Sequence, residues 1–312
     1  MAQPSPPVTS PRRKPEAREP ARQLRRARGT ITPMTFIAPG VILVILVMLY
    51  PVAQGLWMSV TDTNPFTGVT TFVGLDQYRS LFASEEFQRA LRQSLIFVAA
   101  TVIVGIVIAA SVALVLHHVP WGGRLWRTIV LVPWLISGVA VATIWRALFS
   151  PRGGGIPDMV LSSLGLEPIT WLASPFWASV VIILISIWSF SPFATLIIYS
   201  GLKTIDPDLY EAAALDGAGP FTRFTNVTVP SIAPQLSLAM IWMSFGAFNN
   251  FDIVLLATGG GPGRSTEVLA VLLYRLGFQE LDFHASATVM VVLLAINLTF
   301  SIIYIKLLPK RD

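Results

Sequence analysis

The sequence predicts an all-α, polytopic membrane protein with six transmembrane helices, and three observations carry that reading. Of its 312 residues, 54% are hydrophobic and 12% charged, with a mean hydropathy of +0.66. Soluble domains carry about 25% charged residues, so the chain lacks the polar material to cover a water-facing surface. Six apolar windows, at 35–59, 94–116, 127–149, 176–200, 235–257 and 285–308, reach the length of about 20 residues that crosses a bilayer. The loops these windows define divide the Lys and Arg residues unevenly, as the positive-inside rule requires.

The first element is a basic tail, residues 1–34. It holds Arg12, Arg13, Lys14, Arg18, Arg22, Arg25, Arg26 and Arg28 against Glu16 and Glu19, whereas the remaining 278 residues carry a net charge of −1. The overall +5 therefore belongs to the tail and not to a basic folded face, which speaks against nucleic-acid binding. Six prolines (Pro4, Pro6, Pro7, Pro11, Pro15, Pro20) disfavour helix there, and a disordered cytoplasmic arm is expected. The apolar stretch that follows is too long for a signal peptide, and no small-residue cleavage site follows it.

Residues 60–93 mix Phe66, Phe72, Leu75, Tyr78, Leu81, Phe82 and Phe87 with charges, so a packed segment ending in a helix should lead into the second span. The second and sixth spans are dense in Val, Ile, Leu and Ala. The third ends near Arg146, read as an interface anchor. The fourth and fifth carry Ser186, Ser189, Ser191, Ser244, Asn249, Asn250 and Asp252 among aromatic residues. After the fifth span the run Gly259–Gly263 opens a loop, and Glu267–Phe278 has the periodicity of an apolar helix lying at the outer membrane surface. An N-terminus inside the cell leaves 15 of the 22 basic residues in the cytoplasm, with both termini there.

Several chemistries are excluded. The chain has no cysteine, and its histidines are His117, His118 and His284, two adjacent and one distant, so no disulfide, thiolate site or three-His zinc site is expected. An intramembrane protease needs Ser/His or paired Asp inside the spans. A secondary transporter usually carries charged groups along its path, and here only Asp252 and Arg146 qualify, both near outer ends. The run Gly259–Ser265 lacks the spacing and the Lys of a phosphate loop.

Cytoplasmic residues 204–234 predict a helix-turn-helix. Asp206 is a helix N-cap, Pro207 suits the first helical position, and Asp208 and Glu211 sit well in the first turns. Ala212–Leu215 propagate the helix, Gly217 ends it, and Pro220 opens a second short helix through Phe221, Arg223 and Phe224 that stops before Pro230. With Leu209, Tyr210, Phe221 and Phe224 exposed, a docking element and a packed structural loop both satisfy these rules.

The run Glu211-Ala212-Ala213-x-x-Asp216-Gly217-Ala218, followed by Phe224, Val227 and Pro230, resembles the EAA coupling loop of binding-protein-dependent ABC importers, with Val at two positions where the family usually has Ile or Leu. Tyr50-Pro51, Ser59, Gly74–Tyr78, Trp188, Pro192-Phe193, Gly201-Leu202, Thr258–Pro262, Ser265-Thr266 and Tyr274-x-x-Gly277-Phe278 are similar to the maltose/glycerol-3-phosphate-type permeases. The tail matches nothing in that family. The resemblance implies a type I importer permease over residues 35–312, whose coupling loop docks in a cleft of a separate ATPase. It implies a charge-assisted contact from Glu211, a turn allowed by Gly217 and fixed by Asp216, and a second homologous permease as partner. An ATPase dimer would bind ATP and Mg, this chain holding no cofactor of its own, and an extracytoplasmic solute-binding protein would deliver a sugar. The setting would be a bacterial cell membrane, with lipid around the spans.

The resemblance also points to Ser186, Phe190, Phe193, Ala247, Asn249 and Asn250 as the substrate path. Hydroxyl, amide and aromatic groups together suit a sugar, although Ser and Asn within spans also serve to bond helices to one another. With no Lys or Arg deep in the spans, a neutral saccharide fits better than glycerol phosphate, the alternative within the family.

Overall fold

The structure, a computed structural model, describes residues 33–63, 67–119, 123–150 and 155–307. Most of the basic tail, and Lys310 and Arg311, lie outside them. The described residues fall into two compact units, divided between Val52 and Ala53. In the first, residues 33–52 are helical, the beginning of α1 (Pro33–Met58), and the apolar side chains from Val41 to Tyr50 are exposed.

The second unit contains the remaining elements. After α1 come two short antiparallel strands, β1 (Thr61–Thr63) and β2 (Thr70–Phe72), with Thr61 opposite Phe72. Then follow α2 (Asp76–Ala83), α3 (Glu85–His118), α4 (Gly123–Leu135), α5 (Gly138–Leu148), α6 (Ile156–Ser163) and α7 (Pro175–Leu202). The next elements are α8 (Pro207–Leu215), α9 (Pro220–Arg223), α10 (Val229–Ser231), α11 (Ala233–Phe248), α12 (Asp252–Thr258), α13 (Leu269–Tyr274) and α14 (Phe283–Leu307). The small hairpin is an addition to the all-α expectation.

Four helices are long and apolar enough to cross a membrane: Ile37–Met58, Glu85–His118, Pro175–Leu202 and Phe283–Lys306. The third and fifth spans are not the single helices expected. At 127–149 the chain forms α4 and α5, bent by 87°. Pro133 removes a backbone donor near the end of α4, and Ser137 is extended at φ −56°, ψ 137°, so Gly138 starts a new helix. The window 235–257 is helical to Phe248, interrupted at Asn249–Phe251, and resumes at Asp252. Such interruptions persist within a bilayer where the freed backbone is buried or lines a cavity.

The core joins α3, α7 and α11. Ala109, Ala113, Ala194, Ala239 and Ala247 are fully buried there, and such small residues let helices approach closely. At Gly105 a Cβ would lie 2.1 Å from Met243 Cε, so glycine on α3 makes the hole that the buried Met243 of α11 fills. A second cluster gathers Phe87, Ala90, Leu269, Leu272 and Val289. The Leu269 N–H, at the unsatisfied start of α13, donates to Ser94 Oγ at 2.7 Å. The apolar helix expected over Glu267–Phe278 is thus packed into the protein along α13, where Leu269, Ala270, Val271 and Leu272 are all buried.

The outer segments are tied by side chains. Gln77 donates to Thr61 O at 2.6 Å and accepts from Thr288 Oγ1 at 2.9 Å, while Tyr78 donates to Ser59 Oγ at 2.8 Å. Arg275 pairs with Glu267 at 2.7 Å and also with Glu86 and Glu280, and Arg264 pairs with Glu86. Arg146 donates to Leu256 O at 3.3 Å, which ties the end of α5 to the end of α12.

Candidate functional site

Two sites are built from these elements: a helical hook between α7 and α11, and a cavity at the two helix breaks. In the hook, Asp206 caps α8 by accepting from the Asp208 N–H at 3.1 Å, with Pro207 in the first turn. The helix closes when Ala218 N donates to Ala213 O at 2.9 Å and Gly217 N to Ala214 O at 3.1 Å. This paired closure needs a left-handed residue, and Gly217 supplies it at φ +79°. The backbone fixes the turn; the Asp216 side chain makes no hydrogen bond among the described residues. Tyr210 Oη and Thr228 Oγ1, 2.9 Å apart, staple the two arms, so Tyr210 is half-buried and serves the hook's own packing.

The second arm does not stop before Pro230. A π-helical stretch, Phe224–Thr228, joins α9 to α10 without a gap. A ring at 230 would crowd the carbonyl four residues back, and the wider π turn relieves it. Pro220–Ser231 then meets α11 at a 70° bend. On the outside of the hook, Glu211, Ala212, Leu209, Phe221 and Phe224 are exposed. Leu215, not singled out from the sequence, is 90% exposed and Phe221 78%. Glu211 has no hydrogen-bond or ion-pair partner among the described residues. Exposed apolar side chains beside a carboxylate unpaired among the described residues are the features of a docking surface.

The cavity, about 360 Å³, is lined by Pro133, Trp134, Ile136, Gly138, Ser189, Phe190, Gly246, Asn249, Asn250, Phe251, Asp252 and Ile253. Both helix breaks open onto it, and two glycines shape it. A Cβ at Gly246 would meet the Phe190 ring at 3.2 Å, and one at Gly138 would meet Asp252 Oδ2 at 3.2 Å. Ser189 Oγ is buried there without a partner.

Of the residues expected on the substrate path, Phe190, Asn249 and Asn250 line this cavity together. Ser186 and Ala247 are fully buried behind it. Ser186 Oγ donates to Ile182 O at 2.7 Å and accepts from Asn250 Nδ2 at 2.8 Å. Phe193 stands beside the cavity, stacked on Trp134 at 5.0 Å and packed on Trp242 at 4.5 Å. Ser189 and Asp252, noted from the sequence as polar groups of the fourth and fifth spans but not placed on the path, line the cavity, as does Gly246, which the sequence did not single out. The Asp252 side chain makes no hydrogen bond among the described residues. The signal for Asp252 was its position two residues past the Asn249-Asn250 interruption of an apolar stretch.

Comparisons with known proteins bear on the family and the fold. The family described as binding-protein-dependent transport system inner membrane component matches residues 101–311. The chain is 32% identical to the trehalose/maltose transport system permease protein MalF of Thermococcus litoralis, over 86% of this chain and 91% of that one. It is 30% identical to the sn-glycerol-3-phosphate transport system permease protein UgpA of Yersinia pestis, over 89% and 94%. A solved bacterial ABC transporter involved in import of the acidic polysaccharide alginate superposes with a TM-score of 0.76 at 24% identity, covering 92% of this chain and 98% of that one. A structure of the bacterial alginate ABC transporter in complex with an alginate pentasaccharide-bound periplasmic protein gives 0.74 at 25% identity, covering 91% and 94%.

Proposed function

The chain belongs to the binding-protein-dependent transport system inner membrane components, and from that membership we propose that it is the permease subunit of an ABC importer that moves a neutral saccharide into the cell. The hook carries this reading: a stapled helix-turn-helix between two spans, with Glu211 exposed and unpaired. An ATPase subunit would grip it, Glu211 meeting a basic group in a charge-assisted contact. ATP and Mg would be held by that subunit, present in two copies. Closure of the ATPase pair would then bias the spans toward the outward-open state, a shift between existing conformations.

A second, homologous permease would complete the pathway, and an extracytoplasmic solute-binding protein would load it. The charge distribution supports a bacterial membrane location with both termini in the cytoplasm. The cavity supports this substrate class. Its lining offers amides, a hydroxyl and aromatic faces suited to sugar hydroxyls and rings, and a carboxylate with no Lys or Arg beside it. That lining disfavours uronates and phosphorylated solutes.

The test is ATPase activity of the co-expressed complex in nanodiscs, with its binding protein and a panel of neutral, uronic and phosphorylated sugars. Stimulation by a neutral mono-, di- or oligosaccharide is expected. Stimulation by anionic solutes alone would overturn the substrate class, and the absence of any co-purifying ATPase would overturn the importer reading.

A further inference from the structure

We propose that the inner end of the molecule, where α3, α4 and α7 meet, binds the phosphate of an anionic phospholipid between Arg127 and Lys203. Both cations stand over one ring: the Arg127 guanidinium carbon lies 5.3 Å and Lys203 Nζ 5.6 Å from the Tyr199 centroid. Among the described residues, neither has a carboxylate within ion-pair distance. The Arg127 guanidinium makes one hydrogen bond there, from Nε to Gly123 O at 2.8 Å, which leaves both terminal NH₂ groups for a ligand.

More positive or polar groups close in. Arg124 lies one turn before Arg127 on α4. His117 lies within electrostatic reach of Lys203 and His118, and its buried Nδ1 has no partner. Topology alone asks for cations in the loop; it does not ask two of them to converge on one ring without a counter-ion. The guanidinium fork suits phosphate oxygens, and the ammonium adds a point charge. Basic pockets between transmembrane helices on the cytoplasmic side bind anionic headgroups in this manner.

The surroundings select a lipid over a soluble phosphate. Leu125, Trp126 and Ile129 are exposed on the same helix, an apolar face for acyl chains with an indole at headgroup depth. Only the choice of leaflet rests on the orientation proposed above. Lys203 is four residues before Pro207, so the bound headgroup would stand at the base of the hook.

The test is native mass spectrometry of the full chain with its co-purified subunits, delipidated and titrated with phosphatidylglycerol or phosphatidylcholine. Wild type, Arg127→Gln, Lys203→Gln and the distant control Arg89→Gln are compared, with inorganic phosphate as competitor and thermal melting as the folding check. Retention of one phosphatidylglycerol by wild type and the control is expected, weakened about fivefold in each of the other two variants. The exposed Lys203 keeps the proposal testable should Arg127→Gln fail to fold. Equal retention by all four proteins would overturn it. So would displacement of the lipid by inorganic phosphate, or loss of the ATPase subunit with lipid retention unchanged.

Discussion

Asn250 Nδ2 donates to Ser186 Oγ at 2.8 Å, a bond between the end of α11 and the middle of α7 that fixes which side of the amide faces the cavity. Ser186 is fully engaged behind the cavity wall, while Asn250 lines the cavity with Oδ1 unbonded among the described residues. The pair therefore divides the two roles open to polar residues within spans: Ser186 bonds helices, and in the function proposed above Asn250 would face the solute.

Ser186→Ala should leave the Asn250 amide without that acceptor and destabilise the protein by about 1 kcal/mol, the usual size for such a bond within a bundle. Thermal unfolding in detergent measures it. A melting temperature equal to wild type would mean that Asn250 does not depend on Ser186.

Gly217→Pro places a ring fixed near φ −65° at a position that adopts +79°. The spans should insert in wild-type amount, because the hook lies outside them, while transport falls to background. Immunoblotting of membranes beside uptake of labelled sugar checks both. Uptake at the wild-type rate would remove the coupling role.

Glu211→Ala removes an exposed carboxylate with no internal partner, so stability should stay within about 0.5 kcal/mol of wild type. Sugar-stimulated ATPase activity should drop about tenfold, the cost of one charge-assisted contact. A melting curve and an ATPase assay on the same preparation separate the two effects.

Gly138→Ala would set a methyl 3.2 Å from Asp252 Oδ2 and 3.3 Å from its Cβ, displacing the carboxylate within the cavity. Half-saturation for the sugar should rise about tenfold with little change in expression. Uptake at varied concentration reads this directly. An unchanged half-saturation would place Asp252 outside the binding surface.

Much of the architecture was legible because bilayer insertion is decided by apolar length, and α3, α7 and α14 declare theirs openly. The hook was legible for another reason: its cap at Asp206 and its left-handed turn at Gly217 depend on neighbours within a few residues. The breaks at Ser137 and Asn249–Phe251 were not, since a hydropathy window averages across a backbone interruption that neighbouring helices make tolerable. The depth of α13 was hidden for a related reason. Its apolar residues suit lipid and protein equally, and the choice rests on partners such as Phe87 and Ser94, far away in the chain. In the candidate cavity, Phe190, Asn249 and Asn250 could be picked out by type. Ser186 and Ala247 could not be told from lining residues, because which face of a helix is turned inward depends on its packing.

The run from Pro220 through the π turn, broken only at Ile232 where it bends by 70° into α11, has the form of a bell-crank. Its short arm lies in the hook and its long arm ends at Asn249. Over 16 residues the long arm measures about 24 Å, so a rotation of about 10° at the pivot near Ile232 sweeps the far end by about 4 Å. In the importer proposed above, a displacement smaller than a helix turn at the inner face would thereby reach the cavity as a shift of about 4 Å.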